Sequence, residues 1–203
     1  MSITNIDARA SAQQADALDR ADMERLAAGQ DAALNDLMER HATPVFHFLC
    51  RMVGNEDDAN DLAQEAFVRV FRARASFRTG EKFSTWLFTI AANLARNHFR
   101  WRSRHPNVPL EAEIGETEQT LGSTLPASDP APNEQALATE RAAAVRAAVG
   151  KLPEDLREAV VLCEWEELCL AEAAAILETT PKAVESRLYR ARQILRERLK
   201  TWL

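Results

Sequence analysis

The chain has 203 residues and carries 31 Asp and Glu against 25 Lys and Arg, a formal charge of −6 and a pI near 5.3, which at first sight disfavours nucleic acid as a partner. Apolar residues at 46% and charged residues at 28% exclude a disordered chain, and 6 Gly and 1 Tyr beside abundant Ala, Leu, Glu and Arg favour helices over sheets. Three cysteines make no disulfide framework, and neither an apolar run of about 18 residues nor a basic and apolar leader is present, so a cytoplasmic chain without direct membrane insertion is expected.

Residues 1–22 are rich in Ala, Asp and Gln with little apolar periodicity and read as a loosely ordered or weakly helical extension. From about Asp31, the residues Leu34, Leu37, Met38, Val45, Phe48, Leu49 and Met52 recur at helical spacing, and Gly54-Asn55 closes the run. Asp57 or Asp58 is expected to cap a second helix whose apolar face is Leu62, Ala66, Phe67, Val70 and Phe71. Residues 76–82 read as a loop. Ser84 is expected to cap a third helix that runs to about Arg104, with Leu87, Ile90, Ala91 and Leu94 on one stripe. Pro106 and Pro109 end it, and the stretch to about Pro132, acidic and punctuated by Pro and Ser, reads as a linker. A second helical unit begins near Asn133, turns sharply at Gly150 and Leu152-Pro153, and continues in helices near 154–166, 170–177 and 181–199. Thr180 caps the last, and Val184, Leu188, Ala191, Leu195 and Leu199 form its buried stripe. Two short helices joined by a tight turn, the second basic, suggest a helix-turn-helix.

Resolved by segment, the charge becomes informative. Residues 69–104 carry nine basic side chains against the single acid Glu81, and residues 181–203 carry seven against Glu185 and Glu197. Residues 31–68, 105–140 and 151–180 are strongly acidic. The first basic block is interleaved with Phe71, Phe77, Phe83, Trp86, Phe88, Phe99 and Trp101, the combination of cations and stacking surfaces that melted nucleic acid requires. Phe67, Phe71 and Phe88, at helical spacing, read as core; Phe83 and Trp86, at a loop-to-helix junction, are the better candidates for base contact. On the last helix Lys182, Glu185, Ser186, Arg187, Tyr189, Arg190 and Arg192 lie opposite the apolar stripe, as a recognition helix needs. For the acidic run Glu56, Asp57, Asp58, Asp61 and Glu65, spacing alone does not separate a solvated helix start from a partner-binding face. Cys163 and Cys169 form no CxxC pair, His41, His47 and Cys50 make an incomplete metal set, and no phosphate-binding or hydrolase motif is present. No catalytic residue, metal or cofactor is therefore expected, and the chain is not read as an enzyme.

Residues 58–71 (DANDLAQEAFVRVF), 83–97 (FSTWLFTIAANLARN), 152–157 (LPEDLR) and 183–192 (AVESRLYRAR) closely resemble the bacterial sigma-70 family, and the short two-domain layout resembles its extracytoplasmic-function (ECF) branch. The resemblance implies an all-α fold of two small helical domains, a region 2 bundle at 23–105 and a region 4 helix-turn-helix at 133–203, joined by a flexible linker at 106–132 and preceded by an extension at 1–22. It implies a transcription initiation factor that binds core RNA polymerase, recognises −10 and −35 promoter elements and promotes strand opening, with an anti-sigma factor as a further partner. By the same resemblance Asp58, Asp61, Leu62, Gln64 and Glu65 contact polymerase. Lys82, Phe83, Thr85, Trp86, Asn93, Arg96, Asn97 and Arg100 read the separated −10 strand, and Lys182, Glu185, Ser186, Arg187, Tyr189 and Arg190 meet the −35 major groove. Glu185 stands where many members carry a base, and Glu178-Thr179 replaces a turn that often contains Gly. The other reading of these features is a free-standing helix-turn-helix regulator with an N-terminal sensor or dimerisation domain.

Overall fold

A computed structural model describes residues 3–78, 80–105 and 132–202, with side chains described at 13–78, 80–105 and 139–202. The elements it describes are all helical: α1 (Ile3–Ala27), α2 (Ala33–Val53), α3 (Glu56–Ala73), α4 (Phe83–Arg104), α5 (Pro132–Gly150), α6 (Glu154–Val160), α7 (Leu170–Ile176) and α8 (Pro181–Arg198). A 3-10 turn follows α3 at Arg74–Ser76, and a π turn at Val161–Trp165 prolongs α6. Apart from Pro132, the linker expected at 106–132 lies outside the described residues.

In the first unit α2, α3 and α4 pack around Leu37, Val45, Phe48, Leu49, Met52, Phe67, Val70, Leu87 and Phe88, all buried. The Phe48 and Phe88 rings meet edge to face at 5.4 Å. Gly54 ends α2 at φ +76°, a left-handed position that suits glycine. The expected caps are displaced. Asn55, rather than Asp57 or Asp58, caps α3 by accepting from the Asp58 backbone N–H at 2.8 Å, which leaves the acids in the first turn against the helix dipole. Helix α4 starts at Phe83, with Lys82 rather than Ser84 at its N-cap, because Phe83 and Leu87 bury together four residues apart.

Residues 3–27 form one helix, where a loosely ordered or weakly helical extension was expected to residue 22. Met23 and Leu26 are buried, and so are Asp19 and Asp22. Asp19 accepts from Arg40 Nε at 2.9 Å and lies 2.8 Å from His41 Nε2, while Asp22 accepts from Arg40 Nη2 at 2.5 Å. Although burial opposes ionisation, the bonds from His41 and Arg40 hold the Asp19 carboxyl below its ordinary range. This helix docks partly through carboxylates, which is why it shows no apolar period.

In the second unit α8 packs on α6 and α7 through Val184, Leu188 and Ala191. Thr180 caps it, accepting from the Ala183 N–H at 3.2 Å, and Glu178 takes φ +50° in the tight turn before it. The two units are in contact. Arg157 donates to the carbonyl oxygens of Met52 (2.5 Å), Leu152 (3.1 Å) and Gly150, and its guanidinium lies 5.4 Å from the Phe99 ring centroid. Arg51 reaches Glu166 at 3.3 Å and sits 5.6 Å from the Trp165 ring centroid.

Candidate nucleic-acid interface

Helix α4 carries Arg96, Arg100, Arg102 and Arg104 of the first basic block, and Lys82 is its N-cap. Lys82 Nζ lies 2.8 Å from Glu172 of α7 and 3.6 Å from Asp16 of α1; the Glu172 bond, against some desolvation, raises the Lys82 ammonium above its ordinary value. Phe83 is only 2% exposed, its ring held by His41 at 5.0 Å and by Phe77 and Trp86 at 6.2 Å. The Phe83 ring, expected at an open loop-to-helix junction, is instead a wall of the bundle, because it falls on the buried stripe of α4. Thr85 and Trp86 are half-buried.

Two turns further along, Arg96 donates to Asn93 Oδ1 at 2.8 Å and to Glu158 Oε1 of α6 at 2.7 Å. Burial raises the Glu158 carboxyl above its ordinary value and Arg96 opposes it. A polar cleft of about 450 Å³ opens beside this pair, lined by Arg96, Glu154, Asp155, Glu158, Leu177 and Arg187. Asn97 and Arg100 are exposed. Of the −10 candidates, therefore, Lys82, Asn93 and Arg96 are engaged within the chain, while Asn97 and Arg100 face solvent.

On α8 the residues Lys182, Glu185, Ser186, Tyr189 and Arg190 are exposed, Tyr189 to 65%. Arg187 departs from that face. It is half-buried and 3.8 Å from Asp155 of α6, since it continues the stripe of Val184, Leu188 and Ala191. On α3, Asp61 and Gln64 are exposed and Leu62 half-buried, Glu65 pairs with Arg69 at 2.8 Å, and Asp58 lies 3.4 Å from His98.

Residues 37–105 match the family model for Sigma-70 region 2, and residues 142–195 that for Sigma-70, region 4. The chain belongs to the sigma-70 family, in its ECF branch. The ECF RNA polymerase sigma factor SigW of Bacillus subtilis is 34% identical to it over 173 residues, 85% of this chain and 91% of that one. The ECF RNA polymerase sigma-E factor of Escherichia coli K12 is 34% identical over 174 residues, 85% and 90% of the two chains. Among solved structures, CnrH in complex with the cytosolic domain of CnrY aligns with a TM-score of 0.67 at 27% identity, covering 91% of this chain and 98% of that one. The sigma factor RpoE of Bartonella quintana, in complex with the anti-sigma factor NepR, aligns with a TM-score of 0.61 at 25% identity, covering 82% and 96%.

As an ECF sigma factor the chain binds core RNA polymerase and recognises promoters, and it is not an enzyme. Sequence reasoning about this sigma factor missed Glu158 and Glu172, the carboxylates that hold Arg96 and Lys82. Glu158 had a local signal, an acid on the buried face of α6 beside Leu156 and Ala159. No described helix is long and apolar enough to cross a membrane.

Proposed function

We propose that the face of α3 formed by Asp58, Asp61, Leu62, Gln64 and Glu65 docks on polymerase, that α4 from Lys82 to Arg100 reads the opened −10 strand, and that the front of α8 reads the −35 groove. The observation that carries this reading is the single polar stripe of α4, where Asn93, Arg96, Asn97 and Arg100 share one side of a helix whose opposite side is buried core. Phe83 and Arg187 serve in it as supports rather than as DNA contacts. The domains divide as an extension at 1–22, region 2 at 23–105, a linker at 106–132 and region 4 at 133–203, although α1 runs across the first of these boundaries. The factor works in the cytoplasm, where polymerase and promoter meet. The RpoE–NepR complex supports an anti-sigma factor as a second protein partner.

The two units as packed represent a closed form, with Lys82 and Arg96 held by acids of region 4, and engagement by polymerase separates them. Run-off transcription with core polymerase tests the assignments. Asn97→Ala and Arg100→Ala lower permanganate reactivity of promoter thymines while core binding stays intact, and Asp61→Ala with Gln64→Ala weakens core binding. A chain that shifts duplex promoter strongly by itself, and yields no specific transcript when core is added, is a free-standing regulator instead.

A further inference from the structure

The arginines that border the front of α8 are already paired. At about 100° per residue, Arg190 lies about 80° to one side of Lys182 around the helix axis and Arg192 about 80° to the other, so the two flank the exposed Lys182, Ser186 and Tyr189. Each flank is met by a carboxylate. Asp155, in the first turn of α6, places its Oδ2 3.7 Å from Arg190 Nη2 and 3.8 Å from Arg187 Nε. On the other flank Arg192 Nη2 donates at 2.6 Å to Oε1 of Glu164, from the π turn that prolongs α6. Lys182, at the front, makes no ion pair among the described residues.

Both acids belong to the same unit as α8. Glu158 and Glu172 instead reach across to Arg96 and Lys82, and part from them if the units separate. The flanking pairs are open to water, with side-chain exposures of 47% and 60% for Asp155 and Arg190 and of 44% and 62% for Glu164 and Arg192. Exposed pairs of this kind add little to folding stability. Their effect on an approaching polyanion is larger, because each carboxylate lies well inside the screening length of about 10 Å at 0.1 M salt and offsets the field of its arginine at a phosphate.

We propose that Asp155 and Glu164 are internal counterions of the −35 helix, which hold Arg187, Arg190 and Arg192 back from phosphate and keep the grip of region 4 on duplex DNA weak, in the holoenzyme as in the free chain. A phosphate takes one of these arginines only by displacing a carboxylate, which then gathers a cation from solution. Fewer counterions are released overall, and affinity falls without regard to base sequence. The proposal rests on the assignment of α8 to the −35 groove.

The test uses holoenzyme assembled from the full chain and core polymerase, titrated across salt with a duplex that carries the −35 element and ends upstream of the −10 element, and with the same duplex scrambled at −35. Asp155→Asn with Glu164→Gln gains about tenfold in affinity for both duplexes at about 0.1 M salt, and the slope of log affinity against log salt steepens by about one to two, at about 0.9 per phosphate newly engaged. Each single variant gives part of the gain. Glu24→Gln with Asp31→Asn, which removes the same charge from exposed positions of α1 and the turn after it, gives none. Unchanged affinity and slope in the double variant overturn the proposal, as does an equal gain in the Glu24 and Asp31 control. A gain confined to the −35 sequence also overturns it and assigns the acids to base readout, and a loss overturns it by showing that they orient the arginines towards DNA. Lys182→Ala is the reference. If it loses no affinity, the −35 assignment fails and the proposal with it; if it loses affinity while the double variant gains none, the counterion role alone fails.

Discussion

Arg96 on α4 donates to Glu158 on α6 across 2.7 Å, and both groups are largely withdrawn from water, with side-chain exposures of 21% and 5%. The pair links the helix proposed to read the −10 strand to α6, on which the helix-turn-helix of α7 and α8 packs. A carboxylate at that distance offers a guanidinium the same charge-assisted bond that a phosphate oxygen would. Glu172 does the same for Lys82. The free chain therefore carries its own anions on two cations proposed for the promoter.

Glu158→Gln combined with Glu172→Gln removes both charges while keeping shape and hydrogen-bonding capacity. The glutamines are chosen over alanine because deleting one partner of a buried pair strands the other. The free double variant binds a single-stranded −10 oligonucleotide about tenfold more tightly than wild type, in line with the loss of one to two charge-assisted bonds. Fluorescence anisotropy without polymerase measures it, and identical isotherms would rule out competition by these acids.

A pH effect follows from Glu166. Burial pushes its carboxyl from an ordinary 4.5 up to about 7, against the pull of Arg51. The native chain thus holds this proton more tightly than the unfolded chain does. The stabilisation is complete below pH 4.5 and is lost as pH rises through about 7, a change on the order of 3 kcal/mol. Urea unfolding at pH 5 and pH 8 shows the loss in wild type and a smaller one in Glu166→Gln; curves that fall in parallel would remove Glu166 from the account.

Glu178 sits at φ +50° in the turn before α8, where a side chain is strained by about 1–2 kcal/mol and glycine is not. Its side chain is exposed, so Glu178→Gly gives up no packing and raises stability by about 1 kcal/mol, or about 2–4 °C in melting temperature. Glu178→Ala keeps the strain and gains nothing. A Gly variant that melts with wild type would show that the turn relaxes without it.

Glu185 is exposed at the front of α8, with Lys182 one turn before it and Tyr189 one turn after. An acid there is suited to accept from a cytosine amino group, so Glu185→Ala shifts base preference at one −35 position by about 1–3 kcal/mol. Selection of randomised −35 duplexes by holoenzyme reads this out. An unchanged profile alongside unchanged core binding would exclude Glu185 from readout.

The helices α2 to α4 and α6 to α8 were legible because each buries an apolar stripe at a helical period, from Leu37, Phe48 and Leu49 to Val184, Leu188 and Ala191. Helix α1 was not, since Asp19 and Asp22 dock it through Arg40 and His41. Phe83 and Arg187 are less open than their residue types suggest for one reason: composition marks a residue as aromatic or basic, while the side of the helix it falls on sets its burial. Truncating Phe83 to alanine now carries a cost of about 3–5 kcal/mol in the stability of its unit, so a defect in strand opening from that variant needs a folding control. The charge map located the basic faces but not their internal partners, because Arg96 and Glu158 stand 62 residues apart and no local period reports such a pairing.

That separation also has a meaning in time. Glu158 leaves the ribosome 62 residues after Arg96, an interval of roughly 3–12 s at common rates of synthesis. Throughout it the N-terminal bundle can fold with Arg96 free of Glu158 and Lys82 paired with Asp16 alone, since Glu158 and Glu172 have not yet been made. The Arg96–Glu158 and Lys82–Glu172 contacts are therefore among the last the chain can make, after the bundle that carries both cations is complete.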